Sequence, residues 1–368
     1  MEFINIMDLP DPLTYADGSH VKSAQEWIER RRSQVLELFR THVYGRTPPF
    51  LQSDLFFKAR ATEGALSGNA DLTKVDISFK GPGGVGRFTL HLIVPTASAK
   101  PVPTFLCIGH RDYHAADLIE NQSEFFPISR LIDRGYAAAI FNVNEIAPDN
   151  NDTFDTGVRS VCNTPRTPES WGALAAWAWA CSRAMDYFET DHRIDSSNVA
   201  VVGHSRGGKA ALWCGAEDQR YKLVVSNESG CSGAAITRGK QGEQISNITG
   251  VFPYWFCENY RNYANNTQAL PVDQHELIAL IAPRPVYVCS ATEDTWSDPH
   301  NEFLGCVHAE AVYNLFDLQG ISTSQMPPPE TPLQTGTIAY HLRTGRHDLT
   351  TYDWNQFLNF ADKPGVLK

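Results

Sequence analysis

From residue 101 onward, the chain alternates short apolar runs with longer stretches in which apolar residues recur every three or four positions. The apolar runs indicate strands buried on both faces, and the longer stretches indicate helices. Strands that alternate with helices predict an α/β fold, in which helices cover both sides of a mostly parallel sheet. The predicted strands are Thr104–Ile108, Ala137–Val143, Val199–Val202, Leu223–Ser226, Val286–Ser290 and Ile338–Leu342, and the predicted helices are Phe126–Arg134, Ser170–Phe188, Gly207–Ala216, Gln274–Ala282, His300–Phe316 and Thr351–Ala361.

Two parts of the chain depart from this alternation. In the first hundred residues, helical spacing predicts a helix over residues 23–44, and β-type segments follow at 54–61 and 74–95. Residues 231–270 are rich in glycine, asparagine and aromatic residues, and we interpret them as an insertion near the functional site. We therefore expect a single domain over residues 1–368, with an N-terminal helix and β extension over about residues 1–100.

A candidate nucleophile lies between a predicted strand and a predicted helix. The motif G-x-S-x-G at residues 203–207 places Ser205 in that turn. Its small residues allow a tight turn that exposes the serine at a helix N-terminus, where backbone N–H groups stabilise an oxyanion. The N–H of Arg206 is the expected first donor, and the loop at 109–111 is expected to supply the second. This context predicts an α/β-hydrolase, a three-layer sandwich.

The remaining catalytic groups should follow the serine in the order acid, then histidine. His347 lies between the last predicted strand and the last predicted helix, at whose start Thr350 and Asp353 can form a capping box. We predict that His347 is the general base. Two carboxylates can orient it, because Glu228 and Asp294 each follow a predicted strand, and the strand before Asp294 more usually carries the acid in this fold.

Two weaker motifs suggest other chemistry. Residues 203–209 also fit the G-x-x-x-x-G-K of a phosphate loop, but Ala210 replaces the Ser or Thr that ligates Mg²⁺. His110 and His114 flank Asp112 at a spacing found in metal sites, but the sequence shows no third ligand. We therefore expect no metal, no nucleotide and no other cofactor.

Composition narrows the partners. The formal net charge is −11, and nucleic acids and anionic membranes require basic surfaces, so we expect neither as a partner. No apolar stretch reaches the roughly 20 residues of a membrane helix. The first residues lack the features of a signal peptide, which predicts a cytoplasmic protein, or a secreted one if a leader was removed. The eight cysteines form no C-x-x-C pair and are expected to be free thiols.

Several long motifs resemble one known family. They are GHSRGGK at 203–209, ESGCSG at 228–233, YWF at 254–256, and LPVDQH at 270–275 followed by ALIAPRP at 279–285. In these motifs and their order the chain resembles the glucuronoyl esterases, carbohydrate esterase family fifteen. Members cleave the ester between 4-O-methyl-glucuronate on xylan and lignin alcohols. The resemblance implies a serine esterase that acts on a small-molecule or oligosaccharide ester of (4-O-methyl-)glucuronic acid.

The resemblance also implies roles for individual residues. Ser205 matches the family's nucleophile, and Arg206 matches an arginine whose guanidinium supplements the oxyanion hole. Glu228 matches the family's acid and Asp294 the alternative acid of some bacterial members, and we expect Glu228 to be the principal one. Contacts to the sugar are implied for Lys209, for Glu243 or Gln244, and for Trp296.

One departure from the family bears on the substrate. His204 stands where many members, notably fungal ones, have a disulfide-bonded cysteine, so that disulfide cannot form here. Together with the expected cytoplasmic location, this points toward a small imported uronate ester in place of a polymer. The turn that carries Ser205 does not determine which ester is hydrolysed. The alternative is therefore a sugar deacetylase resembling acetyl xylan esterases, or another carboxylesterase. A catalytically silent binding protein would usually have lost part of the triad.

Overall fold

The computed structural model describes residues 9–111 and 123–368, and their strands form one nine-stranded sheet in the order β1-β2-β3-β5-β4-β6-β7-β8-β9. β3 to β1 form an antiparallel edge, whereas β5, β4 and β6 to β9 are parallel to one another. The strands are β1 (Leu55–Ala65), β2 (Ala70–Gly81), β3 (Gly84–Pro95), β4 (Val102–Gly109), β5 (Ala137–Asn142), β6 (Ile194–His204), β7 (Leu223–Asn227), β8 (Val286–Ala291) and β9 (Ile338–Arg343).

Helices connect these strands. The N-terminal helix over residues 24–42 consists of two α-helical parts, Ala24–Glu26 and Arg32–His42, joined by the π-helical stretch Trp27–Arg31. The other α-helices of the described residues are Ile128–Asp133, Val158–Cys162, Ala173–Phe188, Arg206–Glu217, Ile245–Val251, Gln274–Ala279, Pro299–Asn314 and Thr351–Ala361. In this part of the chain, no helix is both long and apolar enough to cross a membrane.

Alternating side chains of each strand enter two separate cores. In β6, Val199 and Val201 pack into the core beneath the helices Ala173–Phe188 and Arg206–Glu217. Ala200 and Val202 point the other way, into the core beneath Thr351–Ala361. The sheet is therefore buried on both faces, which confirms the predicted three-layer α/β arrangement.

The order of the strands positions the site. Strands β4 and β6 are neighbours in the sheet. The connection after β4 leads to β5 on one side of this pair, and the connection after β6 leads to β7 on the other side. Connections that leave in opposite directions open a crevice at the carboxyl ends of the two strands, where ligands bind in such sheets. His110 follows β4 and Ser205 follows β6, so both lie at this crevice.

Residues 231–270, which we interpret as an insertion, contain the helix Ile245–Val251 and two 3-10 helices, Glu258–Tyr263 and Thr267–Ala269. The helices Val158–Cys162 and Ile245–Val251 were not predicted. The strand predicted at Val199–Val202 begins earlier, at Ile194, because polar residues in its first half hide it from an apolar pattern. All eight cysteines are free and buried, as expected.

Candidate active site

The turn at Ser205 has the geometry of a strained nucleophile elbow. Ser205 has φ 55° and ψ −123°, a conformation that costs a non-glycine residue of the order of 1–3 kcal/mol. Its backbone N–H donates to the carbonyl of Asn227 on the neighbouring strand, at 2.9 Å. A Cβ added at Gly203 would lie 2.0 Å from the carbonyl oxygen of Gly207, so only glycine fits there. The predicted strand–turn–helix is confirmed.

The start of the helix Arg206–Glu217 offers N–H donors beside the serine. Among the described residues, backbone hydrogen bonds to the Ser205 carbonyl begin with the N–H of Gly208, at 2.9 Å, so the N–H groups of Arg206 and Gly207 precede them. The loop after β4 closes against this turn, because a Cβ at Gly207 would lie 3.3 Å from His110 Nδ1. Burial lowers the pKa of His110 to about 3, so its ring is neutral. Asp112 and His114 lie outside the described residues.

His347 lies close to the turn that carries Ser205. It lies in the loop between β9 and the helix Thr351–Ala361, and the capping box predicted at the start of that helix is present. Its ring centroid lies 4.5 Å from that of His204, the residue before Ser205. The structure therefore brings the predicted base beside the predicted nucleophile.

Two carboxylates face the same nitrogen of His347. Asp294 Oδ2 lies 2.6 Å from His347 Nδ1, and Glu228 Oε2 lies 3.2 Å from it. Both carboxylates are buried, and each follows the end of one of two neighbouring strands, β7 and β8. The shorter of the two distances belongs to Asp294, whereas the family motif led us to expect Glu228 as the principal acid. Which of the two acids is the principal one stays a prediction.

Glu228 also has partners that sequence reasoning missed. Its Oε1 accepts from Arg343 Nη2 at 2.6 Å, and its Oε2 accepts from the backbone N–H of Asp348 at 3.0 Å. Arg343 is fixed in turn by Asp353, at 3.0 Å from its Nε. The one signal in the sequence was the position of Arg343 at the end of β9, the strand that leads to His347. Glu228 is thus part of a buried network, whereas the short hydrogen bond of Asp294 goes to His347.

The two carboxylates control the protonation of His347. Burial alone would lower its pKa, but the hydrogen bonds and charges of Asp294 and Glu228 outweigh burial and raise the pKa to about 9. Burial acts against ionisation of Asp294 too, yet the hydrogen bond and charge of His347 bring the Asp294 pKa below its usual value. For Glu228, burial dominates and raises the pKa to about 7. The site therefore favours an imidazolium held by ionised Asp294.

The side chain of Arg206 leaves the helix toward the insertion. Its guanidinium ion-pairs with Asp149 and lies 4.7 Å from the ring centroid of Trp255 and 5.2 Å from that of Phe252. These two rings stack on each other with centroids 3.8 Å apart. The sequence indicated Arg206 but gave no sign of Asp149, which lies more than fifty positions earlier in the chain.

Three of the predicted sugar contacts lie together. The buried Lys209 donates from Nζ to the carbonyl of Ser229 at 2.6 Å, and its Nζ lies 3.7 Å from Glu243 Oε2. The backbone N–H of Glu243 donates to the carbonyl of Trp296 at 2.9 Å. Trp296 is 54% exposed, which is unusual for so large an apolar side chain.

Gln244 is engaged elsewhere. Its side chain accepts from the first turn of the helix Ile245–Val251 in a capping box, and its Nε2 donates to the carbonyl of Lys240 at 2.7 Å. Of Glu243 and Gln244, it is therefore Glu243 whose side chain faces Lys209, another predicted sugar contact. The roles of both residues in binding stay predictions.

Two groups of residues in the described chain have ligand atoms close enough to hold a metal ion. One is Glu228, Asp294 and His347, and the other is Cys289, His341 and Asp353. In the first, Nδ1 of His347 is hydrogen-bonded to the carboxylates. In the second, the ring nitrogens of His341 bond Asp353 at 2.8 Å and Tyr287 at 2.9 Å. In each group, the histidine nitrogen that faces the acidic residues is therefore already hydrogen-bonded. The expectation that no metal is needed stays a prediction.

Comparison with known proteins gives consistent matches. A family model of fungal glucuronyl esterases matches residues 77–317. A carbohydrate esterase from an unknown prokaryotic organism is 39% identical, over 96% of this chain and 89% of that protein. A 4-O-methyl-glucuronoyl methylesterase of Wolfiporia cocos is 31% identical, over 85% of this chain and 72% of that protein. The solved structure of a glucuronoyl esterase from Solibacter usitatus is 36% identical, with a TM-score of 0.89 over 96% of both chains.

Proposed function

Because the chain belongs to the family of glucuronoyl esterases, which are carboxylic ester hydrolases, we propose that it cleaves esters of glucuronic or 4-O-methyl-glucuronic acid through an acyl-enzyme on Ser205. One observation carries the proposal. His347 lies beside the nucleophile elbow and turns Nδ1 toward two buried carboxylates, which leaves its other ring nitrogen for the serine.

In the first half of the reaction, Ser205 Oγ attacks the carbonyl carbon of the ester and its proton passes to His347 Nε2. The carbonyl oxygen becomes an oxyanion, which the N–H of Arg206 and its guanidinium stabilise. The tetrahedral intermediate collapses, the C–O bond to the alcohol breaks, and the alcohol leaves with the proton from His347. Asp294 and Glu228 stabilise the imidazolium that exists between these steps.

In the second half, a water molecule attacks the acyl carbon while His347 takes one of its protons. The second tetrahedral intermediate collapses, the bond to Ser205 Oγ breaks, and Oγ recovers the proton from His347. The products are the uronic acid and the free enzyme, so no cofactor is consumed.

Recognition of the acyl half rests on the cluster of Lys209, Glu243 and Trp296. The first two place a hydrogen-bond donor and an acceptor close together, an arrangement that suits vicinal sugar hydroxyls. The exposed indole of Trp296 offers an apolar surface to the face of a sugar ring. These features support a uronate ester over a bare acetyl ester, as a small molecule or as part of an oligosaccharide.

The proposal is tested by kcat/KM on methyl glucuronate, compared with p-nitrophenyl acetate and acetylated xylose. We expect the glucuronate ester to be the best substrate. Ser205→Ala should lower its turnover by roughly 10³-fold or more while the protein stays folded. Ser197→Ala is the matched control, because Ser197 is exposed and lies on the same strand toward its opposite end. Acetyl esters cleaved equally well would favour the deacetylase, and normal turnover by Ser205→Ala would contradict serine catalysis.

A further inference from the structure

Asp149 lies at the same edge of the sheet as the site. It follows β5, whose carboxyl end points the same way as that of β6. Its backbone N–H donates to Asn144 Oδ1 at 2.9 Å, and the backbone N–H of Asn144 donates to Asn142 Oδ1, also at 2.9 Å. Two successive side-chain caps therefore fix the backbone that carries Asp149.

Three donors from other elements converge on the Asp149 carboxylate. Its Oδ1 accepts from the hydroxyl of Tyr254 at 2.8 Å and from Nε1 of Trp255 at 2.7 Å. Its Oδ2 accepts from Nη1 of Arg206. With both oxygens engaged from different directions, the carboxylate has one orientation, and the insertion that provides Tyr254 and Trp255 is tied to it.

Among the described residues, Asp149 is the acid whose carboxylate forms an ion pair with Arg206. Trp255 contributes twice, because it donates to Asp149 and also presents its ring to the guanidinium. Within the same part of the chain, Nε–H of Arg206 is buried without an acceptor. Two contacts therefore hold the guanidinium of Arg206: the hydrogen bond from Nη1 to Asp149 and the packing against the ring of Trp255. Its Nε–H takes no part in holding it.

We propose that Asp149 is a positioning residue that holds the Arg206 guanidinium in the orientation needed at the oxyanion. The inference rests on the proposed function, in which Arg206 stabilises that oxyanion. An arginine without a partner samples several rotamers and must lose that freedom as negative charge develops. Asp149 also offsets part of the positive charge of Arg206. We expect orientation to outweigh this effect, because three donors fix the Asp149 carboxylate that holds Arg206.

The test is a double-mutant cycle in kcat on methyl glucuronate, with Asp149→Asn, Arg206→Ala and the double variant. Asparagine keeps the size of aspartate and an oxygen that can accept from Tyr254 and Trp255. We expect Arg206→Ala to lower kcat by roughly 10²-fold and Asp149→Asn by roughly tenfold, with little change in KM. In the Arg206→Ala background, Asp149→Asn should have no further effect.

Asp155→Asn is the matched control. Asp155 lies in the same loop, is half exposed, and pairs with Arg159 at 2.8 Å and Arg166 at 2.9 Å instead of Arg206. Its kcat should equal that of the unchanged protein. Thermal unfolding of each variant shows that the rates refer to folded protein. If Asp149→Asn does not fold, Tyr254→Phe replaces it in the cycle, because it removes one donor to Asp149 and should give a smaller loss that also depends on Arg206.

The outcomes separate the two proposals. Normal kcat in Asp149→Asn, with Arg206→Ala impaired, overturns the positioning role and leaves the esterase mechanism intact. An equal loss from Asp149→Asn in both backgrounds also overturns it, since Asp149 would then act without Arg206. Normal kcat in Arg206→Ala overturns the role of the guanidinium at the oxyanion, and the positioning role with it.

Discussion

The hydrogen bond between Asp294 and His347 makes Asp294→Asn the most informative substitution in the site. At an effective dielectric constant of about 20, the distances of 2.6 Å and 3.2 Å correspond to attractions of about 6 and about 5 kcal/mol between an imidazolium and each carboxylate. His347 is 39% exposed, and solvent screens both values. The Coulomb difference between the two acids is therefore worth less than roughly tenfold in rate.

Hydrogen bonding adds a larger asymmetry. An asparagine at position 294 can turn its NH₂ group toward Nδ1 and select the wrong tautomer of His347, an effect worth about 10⁴-fold where a single acid is present. Glu228 offers a second acceptor at 3.2 Å and should restore part of the activity. We therefore expect Asp294→Asn to lower kcat by roughly 10²- to 10³-fold and Glu228→Gln by roughly tenfold. The double variant should lose at least as much as the product of the two.

The assay is kcat on methyl glucuronate at saturating substrate, followed by release of acid. Thermal unfolding must accompany it, because Glu228→Gln takes one of two carboxylate partners from the buried Arg343 and should lower the unfolding midpoint. Asp294→Asn leaves that network intact and is the cleaner variant. If Glu228→Gln, still folded at the assay temperature, loses far more kcat than Asp294→Asn, the ranking drawn from the two distances is wrong.

Two further predictions concern the pH dependence of kcat/KM and the effect of removing metal ions. The base works when neutral and its pKa is raised to about 9, so kcat/KM should rise with pH up to about that value. Asp294→Asn removes a charge that favours the imidazolium, so the acidic limb of the profile should move to lower pH; an unchanged limb, or one at higher pH, would contradict this. Dialysis against EDTA should leave kcat unchanged, because in both potential metal groups the histidine nitrogen that faces the acidic residues is already hydrogen-bonded. A loss that a divalent ion restores would show the opposite.

The parts of the structure that sequence predicted are those set by local chemistry. Continuous apolar runs mark buried strands because both faces of such a strand need apolar side chains, and glycines mark the elbow because a Cβ cannot fit there. The order of residues in the chain predicts His347 as the base, and the capping box predicted just after it is present. The role of His347 as base stays a prediction. Short helices such as Val158–Cys162 were missed because one turn and a half gives too few residues to establish a period.

The parts that sequence did not predict depend on distances between elements far apart in the chain. Asp149 meets Arg206, and Arg343 meets Glu228, only once the sheet has formed. The distances from His347 to the two acids depend on such contacts as well. The motif around Glu228 resembles the family's acid, but a hydrogen bond 0.6 Å shorter decides which carboxylate holds His347 more closely, and no pattern of residues encodes that difference.

The buried cysteines have a consequence for how the protein can be studied. Burial raises the pKa of Cys107 and Cys257 to about 12 and that of Cys231 to about 11, so very little thiolate is present at neutral pH. Alkylating reagents attack the thiolate, and they cannot reach a sulfur enclosed by packed side chains. Because all eight cysteines are buried, the native protein should not react with such reagents, and each thiol should become reactive when the structure around it opens. The chain thus contains eight built-in reporters of local and global unfolding, distributed over both cores.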